Sequence, residues 1–182
     1  MTSTKQALQR WRLGLAVLAV VMVGVVGCGG GSSQGDRSWS VFQSQEGRFR
    51  VALPGEPARR EQALGEEALE SRLVSFTTQL DDVTTLDVSY ADYPPAITEI
   101  DPRLVLTGAV TGAVERASGT LARQTPLTAE GSPAVDYVID GDEGWLQARA
   151  ILVANRLYLL QLAAPRPDAA AFEALVTSFE LL

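Results

Sequence analysis

The segment RFRVALP sets Phe49, Val51 and Leu53 in alternation with Arg48, Arg50 and Ala52. Successive side chains of a strand point to opposite faces, so a period of two buries one face and leaves the other to solvent. The same period returns along most of the chain. Val74 and Phe76 share a face in a run from about Leu69 to Gln79, and Leu86, Val88 and Tyr90 alternate with Asp87, Ser89 and Ala91. Val135, Tyr137 and Ile139 alternate with Ala134, Asp136, Val138 and Asp140. Trp39, Val41 and Phe42 mark a strand at the start. Trp145 to Val153 and Leu157 to Ala163 read as two strands joined at Asn155-Arg156. In the second of these, Leu157, Tyr158, Leu159, Leu160 and Leu162 leave neither face polar, which predicts a central strand covered on both sides.

Turn residues separate the runs. Pro54-Gly55-Glu56-Pro57, Asp81-Asp82 and Gly141-Asp142-Glu143-Gly144 read as turns, and residues 58–67 (ARREQALGEE) as a polar loop. Tyr93-Pro94-Pro95 ends a strand, because proline cannot donate to a ladder. A helix follows, with Asp101 as its N-cap, Pro102 at the first helical position and Gly119 at its close. Leu106, Ala109, Val110, Ala113, Val114 and Ala117 form one stripe on it, and Arg103, Thr107, Thr111 and Glu115 lie off the stripe. A short last helix, about Pro167 to Val176, is expected to pack Phe172, Leu175 and Val176, and Phe179 and Leu181 close the chain. No internal repeat is present. Hairpins with two helices predict an α+β fold, an antiparallel sheet of about six to seven strands flanked by helices.

The first part of the chain has a different character. Residues 1–12 carry Lys5, Arg10 and Arg12 and no acid, and residues 13–27 (LGLAVLAVVMVGVVG) carry no charge. A basic head before a short apolar run is the pattern of a secretory signal peptide. Fifteen residues make roughly 22 Å of helix, short for a bilayer core of about 30 Å. The run ends in Val25-Val26-Gly27-Cys28, and Cys28 is the one cysteine of the chain. This sequence resembles a bacterial lipobox. The resemblance implies recognition of Val25, Val26 and Gly27 by a signal peptidase, cleavage after Gly27, and acylation of Cys28 as a membrane anchor. An uncleaved anchor, or a plain signal peptide with a chance cysteine, is the alternative. Residues 29–38 (GGGSSQGDRS) read as a flexible tether with a reach of roughly 16–19 Å. The expected organisation is a signal peptide at 1–27, lipidated cysteine and tether at 28–38, and one α+β domain at 39–182.

Over the domain, Trp39 to Phe42 followed by GRFRVALPGEP, the strand RLYLLQL, and the ending FEALVTSFEL resemble the PsbP/Mog-like superfamily of small exported bacterial proteins. The resemblance implies an α/β/α sandwich around an antiparallel sheet, used as a scaffold for protein contacts. In that superfamily PsbP is an extrinsic photosystem subunit and the Mog protein binds a small GTPase. No functional residue of either has a counterpart here to carry over.

The residue types that are missing narrow the chemistry. The chain has no histidine, and Lys5 is its one lysine, so cleavage after Gly27 would leave neither. Ser-His-Asp, Ser-Lys, Schiff-base and imidazole–metal chemistry are thereby excluded. The net charge of −7 averages +3 over residues 1–27 and −10 over the rest, where twelve arginines face twenty-two carboxylates. That balance argues against a nucleic-acid partner. No cofactor and no metal are expected. Asp136, Asp140, Asp142 and Glu143 form the densest acidic group. Calcium is one reading of it, although the spacing does not fit an EF-hand, and a solvated hairpin turn is the ordinary one.

Other features also have two readings. Gly108 and Gly112 are read as letting the helix sit close to the sheet, with a helix–helix partner contact as the alternative. Trp39 and Trp145 are read as core or sheet-edge packing, or else as a partner or sugar platform. Tyr93-Pro94-Pro95 is a strand terminator or an exposed ridge for a partner, and Arg59-Arg60 a solvated or protease-sensitive loop.

The expected protein is a non-enzymatic envelope lipoprotein whose domain binds another envelope protein or helps its assembly. With Gly29 after the cysteine, its place is the periplasmic face of the outer membrane if the organism has two membranes, and otherwise the outer face of the cell membrane. The alternative is a carrier of a small apolar ligand or lipid between sheet and helix, for which a deep apolar pocket is the discriminating feature. A carboxylate-based hydrolase is a third, and it needs two acids facing one cleft within about 10 Å.

Overall fold

The computed structural model describes residues 39–64 and 71–182. The expected lipobox Val25-Val26-Gly27-Cys28 and the tether 28–38 lie outside the described residues. The elements run β1 (Trp39–Ser44), β2 (Phe49–Pro54), β3 (Ala58–Leu64), β4 (Ser71–Gln79) and β5 (Thr85–Asp92). A short 3-10 helix (Pro95–Glu99) and α1 (Pro102–Arg116) follow. Then come β6 (Thr120–Ala129), β7 (Ser132–Gly141), β8 (Gly144–Val153), β9 (Arg156–Ala164), α2 (Ala169–Ser178) and β10 (Glu180–Leu181).

Seven strands form one antiparallel sheet in the order β3-β4-β5-β9-β8-β7-β6, and β1-β2-β10 form a second, antiparallel sheet. The strand without a polar face, β9, is the fourth of seven, with Leu160 and Leu162 on one side fully buried and Leu157 and Leu159 on the other also buried. The described residues thus hold ten strands in two sheets, more than the six to seven expected.

The excess comes from strands without a hydrophobic rhythm. Residues 58–64 are not a loop but β3, paired residue by residue with β4 from Ala58 opposite Thr77 to Leu64 opposite Ser71. β6 was not anticipated and is exposed over nearly its whole length. Both are edge strands, where charge and proline are tolerated because one row of backbone groups faces water. Arg59 of β3 accordingly pairs with Glu46 and Glu61, and Arg72 of β4 with Glu61.

The two faces of the large sheet are covered differently. On one, α1 packs against β7 and β8, with Leu106, Val110 and Ala113 meeting Val135, Tyr137, Ile139, Ala148 and Ala150. On the other lie α2 and the small sheet, with Phe49, Val51, Leu53, Leu175 and Phe179 packed on Val88, Tyr158, Leu160 and Leu162. Phe49 stacks on Phe179 at 5.5 Å and meets Phe76 and Tyr158 edge-on. The small sheet is a layer that the expected sandwich did not include.

Side chains join segments remote in sequence. Arg156 forks onto both Asp92 oxygens at 2.6 Å, donates to the carbonyls of Glu46 and Gly47, and lies 4.5 Å over the Tyr90 ring. The Tyr158 hydroxyl donates to the same Gly47 carbonyl at 2.9 Å. The β1–β2 turn is thereby tied to β5 and β9. Arg50 pairs with Glu180 across β2 and β10.

Helix ends follow local chemistry. The Asp101 carboxylate accepts from the Arg103 N–H at 2.9 Å, and that of Asp168 from Ala171 N–H at 3.0 Å. At the end of α1, the Gly119 N–H donates to Val114 and the Ser118 N–H to Glu115, a Schellman pattern. The residue at positive φ there is Ser118 (46°), not Gly119. Gly119 is required for space: a Cβ on it would sit 2.4 Å from the Asp140 carbonyl oxygen.

Candidate functional site

A single helix on one sheet face leaves much of that face bare. Seven strands at about 4.8 Å spacing span roughly 29 Å, whereas a helix with its side chains is about 10–12 Å across. α1 lies over β7 and β8, so the same face over β9, β5 and β4 forms a groove beside it.

The wall on the helix side is Leu104, Gly108, Gly112 and Arg116, four residues apart and therefore on one stripe, with Val105 and Ala109 beside them. The floor is Leu157 and Leu159 of β9, Ala91 of β5 and Leu73 of β4, and Gln62 and Ser71 lie at the β3–β4 end. Tyr93, Pro94 and Ile97 make the third side. The groove holds about 490 Å³, within the range of about 300–1,000 Å³ usual for small-molecule sites.

Gly108 and Gly112 do not bring the helix against the sheet, as their spacing suggested. A Cβ built on Gly108 meets no atom within 4 Å, and one on Gly112 meets only Arg116 Nη1, at 3.3 Å. Neither glycine has a positive φ. In a helix interior each costs about 0.5–1 kcal/mol against alanine. Their effect is to widen the groove. Tyr93-Pro94-Pro95 does end β5, and it also builds the groove's side. Tyr93 is held there by its own N–H donating to the Asn155 carbonyl and its carbonyl accepting from Asn155 Nδ2 at 2.7 Å.

Beyond the apolar floor, the strand register lines up Thr77, Asp87, Gln161, Ala148 and Tyr137 across the sheet. Thr77 Oγ1 donates to Asp87 at 2.8 Å. Burial pushes the Asp87 carboxyl above its usual range, against the pull of Thr77, Ser89 and the Arg60 charge. Burial likewise raises the phenols of Tyr137 and Tyr93, and the Arg116 charge opposes it at both. The Tyr137 hydroxyl is buried without a hydrogen-bond partner, with the Gln161 side chain near enough to polarise it. The sheet neighbours of Asp87 are Thr77 and Gln161, not the second carboxylate that glycoside hydrolysis needs.

A larger hollow of about 960 Å³ lies on the other side of α1. Its lining mixes Asp101, Arg103 and Thr107 of the helix with Gln124 and Thr128 of the polar edge β6, so it offers less continuous apolar surface.

The acidic group at 136–143 is not a cluster in space. Asp136 is held by Arg149 through two bonds of 2.7 and 2.8 Å, and Asp142 and Glu143 sit in the β7–β8 turn. Among the described residues no three acidic side chains come together to hold a metal ion. Trp39 packs on the edge of the core and Trp145 is half-buried at the start of β8. Arg59 and Arg60 are in β3 rather than a loop. Among the described residues no helix is long and apolar enough to cross a membrane.

The fold is PsbP-like. The solution structure of cyanobacterial PsbP (CyanoP) from Synechocystis sp. PCC 6803 is similar to it, with a TM-score of 0.57 and 13% identity over 85% of this chain and 98% of that one. No family model and no curated protein matches the sequence.

Proposed function

We propose that the chain is an exported, lipid-anchored binding protein without catalytic activity, and that the groove beside α1 is where it binds. The observation that carries the groove reading is the glycine stripe: Gly108 faces open space and Gly112 faces only the Arg116 guanidinium, on the wall of an apolar groove, at a cost in helix stability that packing against the sheet does not require. The occupant the groove favours is a small apolar molecule, by its volume and its Leu73, Ala91, Leu157 and Leu159 floor. The carrier reading calls for an apolar site between sheet and helix, and the groove lies between the two.

Binding of an apolar fluorophore such as N-phenylnaphthylamine tests it. Gly108→Leu should fill the groove without unfolding the protein and abolish the fluorescence rise. An equal rise in both proteins refutes the groove as the site. The anchor is tested separately. Cys28→Ser should release the protein from the membrane fraction, and unchanged retention would favour an uncleaved anchor.

Contact with another envelope protein is the second reading. Leu104, exposed on the groove wall, and Ile100, exposed just before α1, favour it. Gentle crosslinking in intact cells that recovers nothing but monomer would count against it.

A further inference from the structure

We propose that the groove beside α1 takes a single-chain amphiphile with an anionic head group, its apolar body on the Leu73–Ala91–Leu157–Leu159 floor and its head on the guanidinium of Arg116. The inference rests on the reading of this groove as the binding site.

Arg116 is the one charged side chain among the described residues that line the groove. It makes no hydrogen bond or ion pair among the described residues, whereas Arg50, Arg59, Arg72, Arg149 and Arg156 all engage carboxylates. Among the described residues Arg48, Arg60, Arg103, Arg123 and Arg166 also form no ion pair, so what sets Arg116 apart is its place on the groove wall. Its position there is specific. Arg116 Nη1 would lie 3.3 Å from a Cβ on Gly112, so the guanidinium folds back over the glycine stripe, and a side chain at 112 would crowd it. The charge also reaches the Tyr93 and Tyr137 phenols, which flank this end of the helix. One end of an apolar groove thus carries an exposed positive charge without an ion-pair partner among the described residues.

The acidity of the domain does not cancel this. At physiological salt the Debye length is about 8 Å, so scattered exposed carboxylates are screened and a guanidinium in contact with the head group dominates. Charge-assisted contacts to Arg are among the stronger polar interactions. A volume of about 490 Å³ suits one hydrocarbon chain rather than two. A position in the last turn of α1 would suit Arg116 on helix electrostatics alone. That role affects melting temperature and not the choice between ligands of opposite charge, so the test reads ligand choice.

The experiment is calorimetric titration of the full chain carrying Cys28→Ser with dodecanoate and with dodecyltrimethylammonium, each below its micelle concentration. Dodecanoate should bind about tenfold or more tighter, the scale of one charge-assisted contact. Arg116→Gln should erase that preference, Arg116→Lys should retain part of it, and Gly108→Leu should abolish binding of both probes. Equal binding of the two probes, or a preference that survives Arg116→Gln, overturns the head-group assignment while leaving the groove standing. Binding of both probes untouched by Gly108→Leu, or no binding of either, overturns the groove reading and this proposal with it. Cooperative unfolding of each variant near the parent temperature establishes that a lost preference is not a lost fold.

Discussion

Alanine at Gly108 and alanine at Gly119 should shift stability in opposite directions, although both remove a glycine from the same stretch of chain. Gly108 lies within α1, at ordinary helical φ, and its new methyl would meet no atom within 4 Å. The expected gain is the helix-propensity difference, about 0.5–1 kcal/mol, part of it from the reduced entropy of the unfolded chain. Gly119 lies between α1 and β6. There a methyl would stand 2.4 Å from the Asp140 carbonyl oxygen and 2.8 Å from both Gly141 Cα and Ile139 Cγ2. Two of these three atoms are backbone, so relief means moving β7, and overpacking of this kind costs about 1–3 kcal/mol. For a domain of this size 1 kcal/mol is about 2–4 °C in Tm. Gly108→Ala should therefore melt about 1–4 °C higher and Gly119→Ala about 2–12 °C lower. Thermal melts by circular dichroism, with urea unfolding to check that m is unchanged, measure both. Shifts of the same sign, or a Gly119→Ala protein indistinguishable from the parent, would show that the open face of α1 or the close approach of Gly119 is not as described.

Three further outcomes follow from named contacts. Arg156→Ala should destabilise by about 1–3 kcal/mol, read by urea unfolding, because two charge-assisted bonds are lost, leaving the Glu46 carbonyl without its Arg156 donor and the Gly47 carbonyl with that of Tyr158 alone; the half-exposed Asp92 end of the pair adds little. Arg156→Lys should recover part of it, since a single ammonium cannot reproduce the fork. Asp87→Asn should stabilise at neutral pH. The native carboxyl is raised, so its charge disfavours the fold above the folded pKa, and the gain should fade as pH falls through that pKa; a mutant advantage that grows on acidification, in melts across pH, contradicts the burial of Asp87. Leu160→Ala, at a fully buried position on β9, should cost about 2–5 kcal/mol in the same unfolding assay.

The interior of the fold was legible because its constraints are local. β2, β4, β5 and β7 alternate because one residue in two must meet the core, and β9 shows no alternation from Leu157 to Leu160 because the layers on its two sides both exclude water. Asp101 and Pro102 mark the start of α1 through bonds made within three residues. The edges were illegible for the converse reason. β3 and β6 bury little, so they carry Arg59, Arg60, Glu61 and Pro126 without penalty, and their strand character comes from backbone bonds to β4 and β7. No local pattern announces such a strand.

The candidate site divides the same way. Glycines at 108 and 112 are visible in the chain, but their spacing is equally consistent with tight packing and with open space. Local sequence determined that there would be a helix with a small-residue stripe, an antiparallel sheet and a central apolar strand, because caps, turns and period act over a few residues. The tertiary structure alone decided that the stripe faces a groove and that Arg116 stands unpaired on its wall. That outcome depends on the number of strands and where one helix comes to rest across them. A ten-residue-wide window cannot count strands that pair across more than sixty residues, as β5 and β9 do.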